Sequence, residues 1–257
     1  MNRLPCILAL LLAPSVTVSA AEPWADPALP VSDGLFVWLD ASRQNAARQV
    51  MKRPRLSDGA PVEQWHDGSG GARHVVQQKD EAQPRFHAVG DDAVIRFDGR
   101  NDALQWTGPG GERDEVTVFL VANPYVNPGN FRGFLALSAE AKNDYTSGLT
   151  IDLGPGASQR FETLNPEGVG FGGARDAMSD AFDFGTFHRI TLVAAAGEGA
   201  ARLFIDGELS GRRDRAPSKF HMDRLTVGAR FVNNAGPPHL HGFLEGDIAE
   251  VLVYNRA

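Results

Sequence analysis

The sequence predicts an all-β protein, a two-sheet antiparallel jelly-roll sandwich, on three observations. Short apolar runs recur along the chain, separated by glycine, proline, asparagine and aspartate. Helical periodicity is nearly absent. An Asp206-Gly207 pair, suited to a tight turn with positive φ, sits at the end of one such run.

Each run fits a strand of about four to eight residues. They are Leu35–Leu39, Val94–Phe97, Val116–Ala122, Gly133–Leu137, Leu149–Leu153, Ile190–Ala195, Arg202–Ile205, Leu225–Val227 and Ile248–Tyr254. Val116–Ala122 is apolar on both faces, which predicts a central strand covered on both sides. In Ile248–Tyr254 the alternation predicts Ala249, Val251 and Val253 on one face and Ile248, Glu250, Leu252 and Tyr254 on the other. Ile190–Ala194 and Arg202–Gly207 read as a meander. Most of the 28 glycines and 16 prolines fall between these runs, where turns need them.

The N-terminal residues read as an export signal. Arg3 precedes the apolar stretch Ile7–Ala13, which is too short to span a bilayer, and Val18-Ser19-Ala20 offers the small residues of a cleavage site. Residues 1–20 are therefore expected to be removed, 21–31 to form a proline-rich linker and 32–257 to form one domain. The only cysteine, Cys6, lies in the signal, so the mature chain holds together without disulfides. The formal charge of −7 argues against nucleic acid or an anionic membrane as partner. No second apolar stretch is long enough to span a membrane. Secretion, the periplasm or the cell surface is the expected location.

Several segments in order resemble the laminin-G-like domains of the concanavalin A-like lectin and glucanase sandwiches. They are Gly34–Ala41, Val62–Gly70, Ile95–Gly99 with Leu104, Leu203–Leu209 and the closing Asp247–Ala257. The resemblance covers about residues 31–257. It implies the sandwich fold and extracellular recognition of sugars or proteins, and a short polar segment beyond Ala257, as in a module of something larger. Fold analogy does not by itself establish an activity.

Catalysis finds little support. The hydrolases of that superfamily carry a Glu-x-Asp-x-x-Glu run on a strand, and this chain has none. Asp247 and Glu250, three apart on a regular strand, are expected on opposite faces. Asp67 in Trp65–Gly71 is expected to close a turn by accepting from the Ser69 or Gly70 amide. His239-Leu240-His241 lacks the further ligands a zinc ion needs and reads as an exposed loop. Trp38 and Trp65 read as core.

Two sets of binding candidates remain. For a sugar, an aromatic platform ringed by amides and charges is expected, and Tyr145 with Asn143 and Asp144, and Arg230 with Asn233 and Asn234, offer that chemistry in loops. For a structural calcium, Asp98 and Asp102 with Asn101 between them, and Asp247 from the last strand, supply hard oxygen donors. The expected function is a non-catalytic recognition or adhesion module with a glycan or an extracellular protein as partner.

Overall fold

A computed structural model describes residues 21–257; the expected export signal, 1–20, lies outside the described residues. The strands are β1 (Leu35–Asp40), β2 (Gln64–Trp65), β3 (Val75–Val76), β4 (Arg85–Val89), β5 (Asp92–Asp98), β6 (Leu104–Thr107) and β7 (Glu112–Arg113). They continue with β8 (Val116–Pro124), β9 (Gly133–Ser138), β10 (Leu149–Asp152), β11 (Asn165–Gly168), β12 (His188–Ala194) and β13 (Gly197–Ile205). The last are β14 (Glu208–Arg215), β15 (Phe220–His221), β16 (Arg224–Val227), β17 (Arg230–Val232), β18 (His239–His241) and β19 (Glu245–Tyr254). Two short helices are α1 (Gln44–Val50) and α2 (Asp144–Ser147).

The first sheet runs β14-β13-β12-β8-β19-β5-β4, with β1 added alongside the second half of β19. The second runs β11-β10-β9-β16-β6-β3-β2. Every ladder between these strands is antiparallel. The core fills the space between the sheets: Val118, Leu120, Ile190, Leu192, Val251 and Val253 from the first meet Leu135, Leu137, Leu149, Ile151, Leu225 and Val227 from the second. Trp65 is fully buried among them. Trp38 is buried as expected, but in a separate cluster with Leu252 and Tyr254. This is the two-layer solution that sheets with one apolar face adopt.

The nine expected strands all form, and Asp206 and Gly207 do take positive φ, at the turn joining β13 to β14. Three expectations need correction. The central strand β8 is not covered on both sides: Phe119 is 39% exposed and Val121 half-buried on the sheet's outer face. The alternation in β19 is broken by a bulge, since Ile248 pairs with Ala122 while Glu250 pairs with Val121. Ile248 therefore joins Val251 and Val253 in the core. Asp247 and Glu250 consequently share the outer face, paired with Asn123 and Val121 respectively. Finally, the His239–His241 segment is not a loop but a strand, hydrogen-bonded to β17.

The expected linker carries its own contacts. Trp24 is buried, Ala25 and Leu29 pack against the Trp38 cluster, and the Tyr254 hydroxyl donates to the Val31 carbonyl at 2.7 Å. Asp67 closes its turn as expected, accepting from the Ser69 amide at 2.9 Å. It also accepts from the Trp38 amide at 2.9 Å, tying the turn to β1.

Candidate functional site

The site is assembled by two segments nearly ninety residues apart. The β9–β10 connection carries Asn143, Asp144 and Tyr145; the β17–β18 hairpin carries Arg230, Asn233 and Asn234. Asn143 binds the hairpin backbone in both directions, accepting from the Asn233 amide at 2.9 Å and donating to its carbonyl at 3.2 Å. The Tyr145 hydroxyl donates to the Asn234 side chain at 2.6 Å, at the surface. All six sugar-site candidates thus come together.

Close backbone approach makes this possible. A Cβ on Gly242, which has φ +61°, would lie 2.0 Å from the Phe131 carbonyl oxygen. A side chain there would push the hairpin off the loop that precedes β9.

Beneath the rim, Arg230 is buried and faces three carboxylates. It donates to Asp144 at 2.8 and 3.2 Å and to Glu167 at 3.0 Å, and its guanidinium lies 3.2 Å from Asp152. Asp144 also accepts from the Phe231 amide at 2.9 Å. The rings of Phe131 and Tyr145 approach the same guanidinium at 5.0 and 5.8 Å. Arg230 and Asp144 are fully engaged under the surface, so they hold the two loops together and leave contact with a ligand to Tyr145, Asn143, Asn233 and Asn234. Burial pushes the Asp152 carboxyl up to about 7, with the nearby Arg230 pulling it the other way.

The neighbourhood extends further than the sequence indicated. His241, considered only for zinc, lies within 3.2 Å of the Asn130 side chain. Asn130 and Phe131 both adopt positive φ, at 64° and 56°, a conformation rare for residues with side chains. The Asn-Pro-Gly-Asn run at 127–130 is the sequence signal for this turn. Tyr125 donates to Asp247 at 2.5 Å, away from this rim.

The three calcium candidates are not gathered. Asp98 accepts from the Arg100 and Asn101 amides at 2.9 and 3.3 Å, and Asp102 accepts from the Asp98 amide at 3.0 Å, which makes a closed turn. Asp247 gives both oxygens to Arg96, at 2.8 and 3.0 Å. Among the described residues no group of three or more His, Cys, Asp or Glu is placed to hold a metal. Asp98 and Asp102 each give one oxygen to backbone amides and Asp247 gives both to Arg96, so the three carboxylates serve separate partners. Nor do Asp247 and Glu250 face one substrate as free carboxylates, although the bulge puts them on one face: Glu250 accepts from the Trp38 indole at 2.7 Å.

No family model matches the chain, and no curated protein matches it. Solved structures do. Domain 4 of a GH43 extracellular arabinanase from Geobacillus stearothermophilus, in complex with arabinotriose, aligns over 86% of this chain and 91% of its own, with TM-score 0.54 and 12% identity. Trypanosoma rangeli sialidase in complex with sialic acid aligns over 93% of this chain but 34% of its own, with TM-score 0.54 and 14% identity. A heptameric pentraxin from Limulus polyphemus aligns over 65% and 77%, with TM-score 0.50 and 15% identity. At these identities the likeness carries the architecture and nothing finer. The chain has the antiparallel two-sheet jelly-roll fold.

Proposed function

We propose that the chain is an exported, non-catalytic carbohydrate-recognition module whose ligand sits on the rim formed by Tyr145, Asn143, Asn233 and Asn234. One observation carries this reading: two distant loops, locked together by the buried Arg230 cluster and by the Asn143 and Asn233 amides, place the half-buried Tyr145 ring beside the exposed Asn234 amide. A rigid aromatic face stacks on the apolar side of a pyranose or furanose, and amides satisfy its hydroxyls in both donor and acceptor roles. Arg230 is already neutralised by its three carboxylates, which favours an uncharged sugar over an acidic one. The arabinanase domain in complex with arabinotriose supports the same class of ligand. Export rests on the leader-like sequence of residues 1–20.

Arabinan, xylan, glucan and galactan oligosaccharides, screened by calorimetry or on an array, test the proposal. Binding is expected for at least one neutral oligosaccharide, and Tyr145→Ala is expected to weaken it at least tenfold, the cost of one stacking contact plus its hydrogen bond. Undiminished affinity in that variant would remove the rim from consideration. Release of reducing sugar above a blank on the same panel would overturn the non-catalytic reading.

A further inference from the structure

The outer face of the first sheet is a second surface that the rim does not use. Opposite the core residues Val118, Leu120 and Ala122, this face keeps Phe119 and Val121, and Trp38, Leu252 and Tyr254 form their own apolar cluster on it. Of the seven exposed large hydrophobic side chains among the described residues, four border it: Val31, Val89, Phe119 and Phe187. Such clustering, as opposed to scattered exposure, marks an interaction surface.

Two cavities open there, of about 550 and 690 Å³, and Leu29 and Pro30 border both. Their charges differ. The smaller is lined by Asp26, Asp40, Asp92 and Glu250 with no lysine or arginine. The larger passes over Phe119 and Tyr254 toward Arg189 and Arg256. Phe119 and Tyr254 meet edge-to-face with centroids 5.8 Å apart, which fixes both rings. The trough therefore runs from carboxylates, across an aromatic floor, to guanidinium groups. Burial also raises the Glu250 carboxyl above its ordinary range, with Asp40 and Asp26 adding to the effect.

This face already holds one stretch of polypeptide. Leu29, in the segment Pro27-Ala28-Leu29-Pro30-Val31, packs on the Trp38 cluster, and the Tyr254 hydroxyl donates to the Val31 carbonyl. Apolar side chains on an aromatic floor plus a hydroxyl on a backbone carbonyl is how proline-containing segments are recognised. The geometry points to a peptide-docking surface: the trough beside residues 28–31 takes an apolar, proline-containing segment of a partner protein, with a basic residue of that segment over the carboxylates of the smaller cavity. Arg43 pairs with Asp26 and lies near Asp40, which leaves Asp92 and Glu250 in the lining without a cationic partner; an acyl chain would give them none, and an acidic glycan would be repelled by them.

The probe is a fluorescein-labelled synthetic peptide, Lys-Pro-Leu-Pro-Val-Pro-Glu, followed by anisotropy against the full chain at low and high salt. Saturable binding that weakens with salt is expected, weaker by at least tenfold in Phe119→Ser and at least threefold in Glu250→Gln, the latter with a shallower salt dependence. Glu250→Gln keeps an acceptor for the Trp38 indole, and Phe119 lies outside the core, so both variants should keep the parent melting temperature. Tyr145→Ala should bind the peptide as the parent does, which separates this surface from the sugar rim. Absence of saturable binding, equal binding by Phe119→Ser, or displacement of the peptide by a neutral oligosaccharide or a fatty acid would overturn the proposal.

Discussion

Arg230 is the residue on which the rim depends, and its surroundings make its removal costly. Three carboxylates were desolvated around one cation, so deleting that cation leaves buried charge without compensation. Arg230→Met is expected to cost about 3–5 kcal/mol, read as a lowered urea midpoint. The same cluster links stability to pH. Asp152 holds its proton in the folded protein up to about pH 7, whereas the unfolded chain releases it near 3.8, the ordinary value for aspartate. The stability this group contributes is complete below that value and falls as pH rises toward 7, because the native state binds the extra proton. Asp152→Asn should flatten the decline of melting temperature between about pH 4 and 7. Parallel curves for the two proteins would count against this account. A further residue, Asp67, accepts from the amides of Trp38, Ser69 and Arg73 and from the Ser69 hydroxyl. Asp67→Ala leaves buried donors unsatisfied and should lower the unfolding free energy by about 2–4 kcal/mol, measured by denaturant titration.

Among the elements, β19 shows how one residue resets a face. The bulge at Ala249 lets both Asp247 and Glu250 point outward while Ile248 stays in the core. Deleting Ala249 would place Ile248 directly before Glu250 and restore strict alternation, with Ile248 still inward and Asp247 and Glu250 still outward. A cooperative unfolding transition is expected to survive, with a lowered midpoint because the Ala41 amide loses the Ala249 carbonyl, checked by thermal circular dichroism. Hydropathy alone did not reveal the bulge, since Ile248–Tyr254 reads as a regular alternating strand; the partner residues Ala122 and Val121 decide it. The central strands were legible because burial makes their sequences apolar. Arg85–Val89 and Glu208–Arg215 were not, because edge strands carry charge that discourages further pairing. Helix α1 was missed for a similar reason: Ala47 is its one buried apolar residue, so no apolar stripe marks it. The site was half legible. Asx residues beside an aromatic ring announced two polar loops, but nothing in the sequence joins Asn143 to Asn233. Nor does a sequence show that Asp144 and Arg230 are buried, since charged residues are usually exposed.

For the whole molecule, with no cysteine after position 6 and no gathered ligand set among the described residues, the shared core of the two sheets is the source of stability that the structure shows. The melting temperature should be the same in excess calcium and in excess chelator. A site loaded at a hundred times its dissociation constant would add about 2.7 kcal/mol and move the transition by several degrees, so a shift of that size would reinstate a metal.

The position of β19 has a bearing on how the molecule is made. It is the last of the described strands in sequence, yet it lies between β8 and β5 and also carries β1. The strands before it form two blocks, β4 with β5 and β8 with β12, β13 and β14, and β19 is the strand that joins those blocks. Each block can pair by itself, but the layer becomes continuous only when β19 is inserted between them, which makes that insertion the step that closes the sheet.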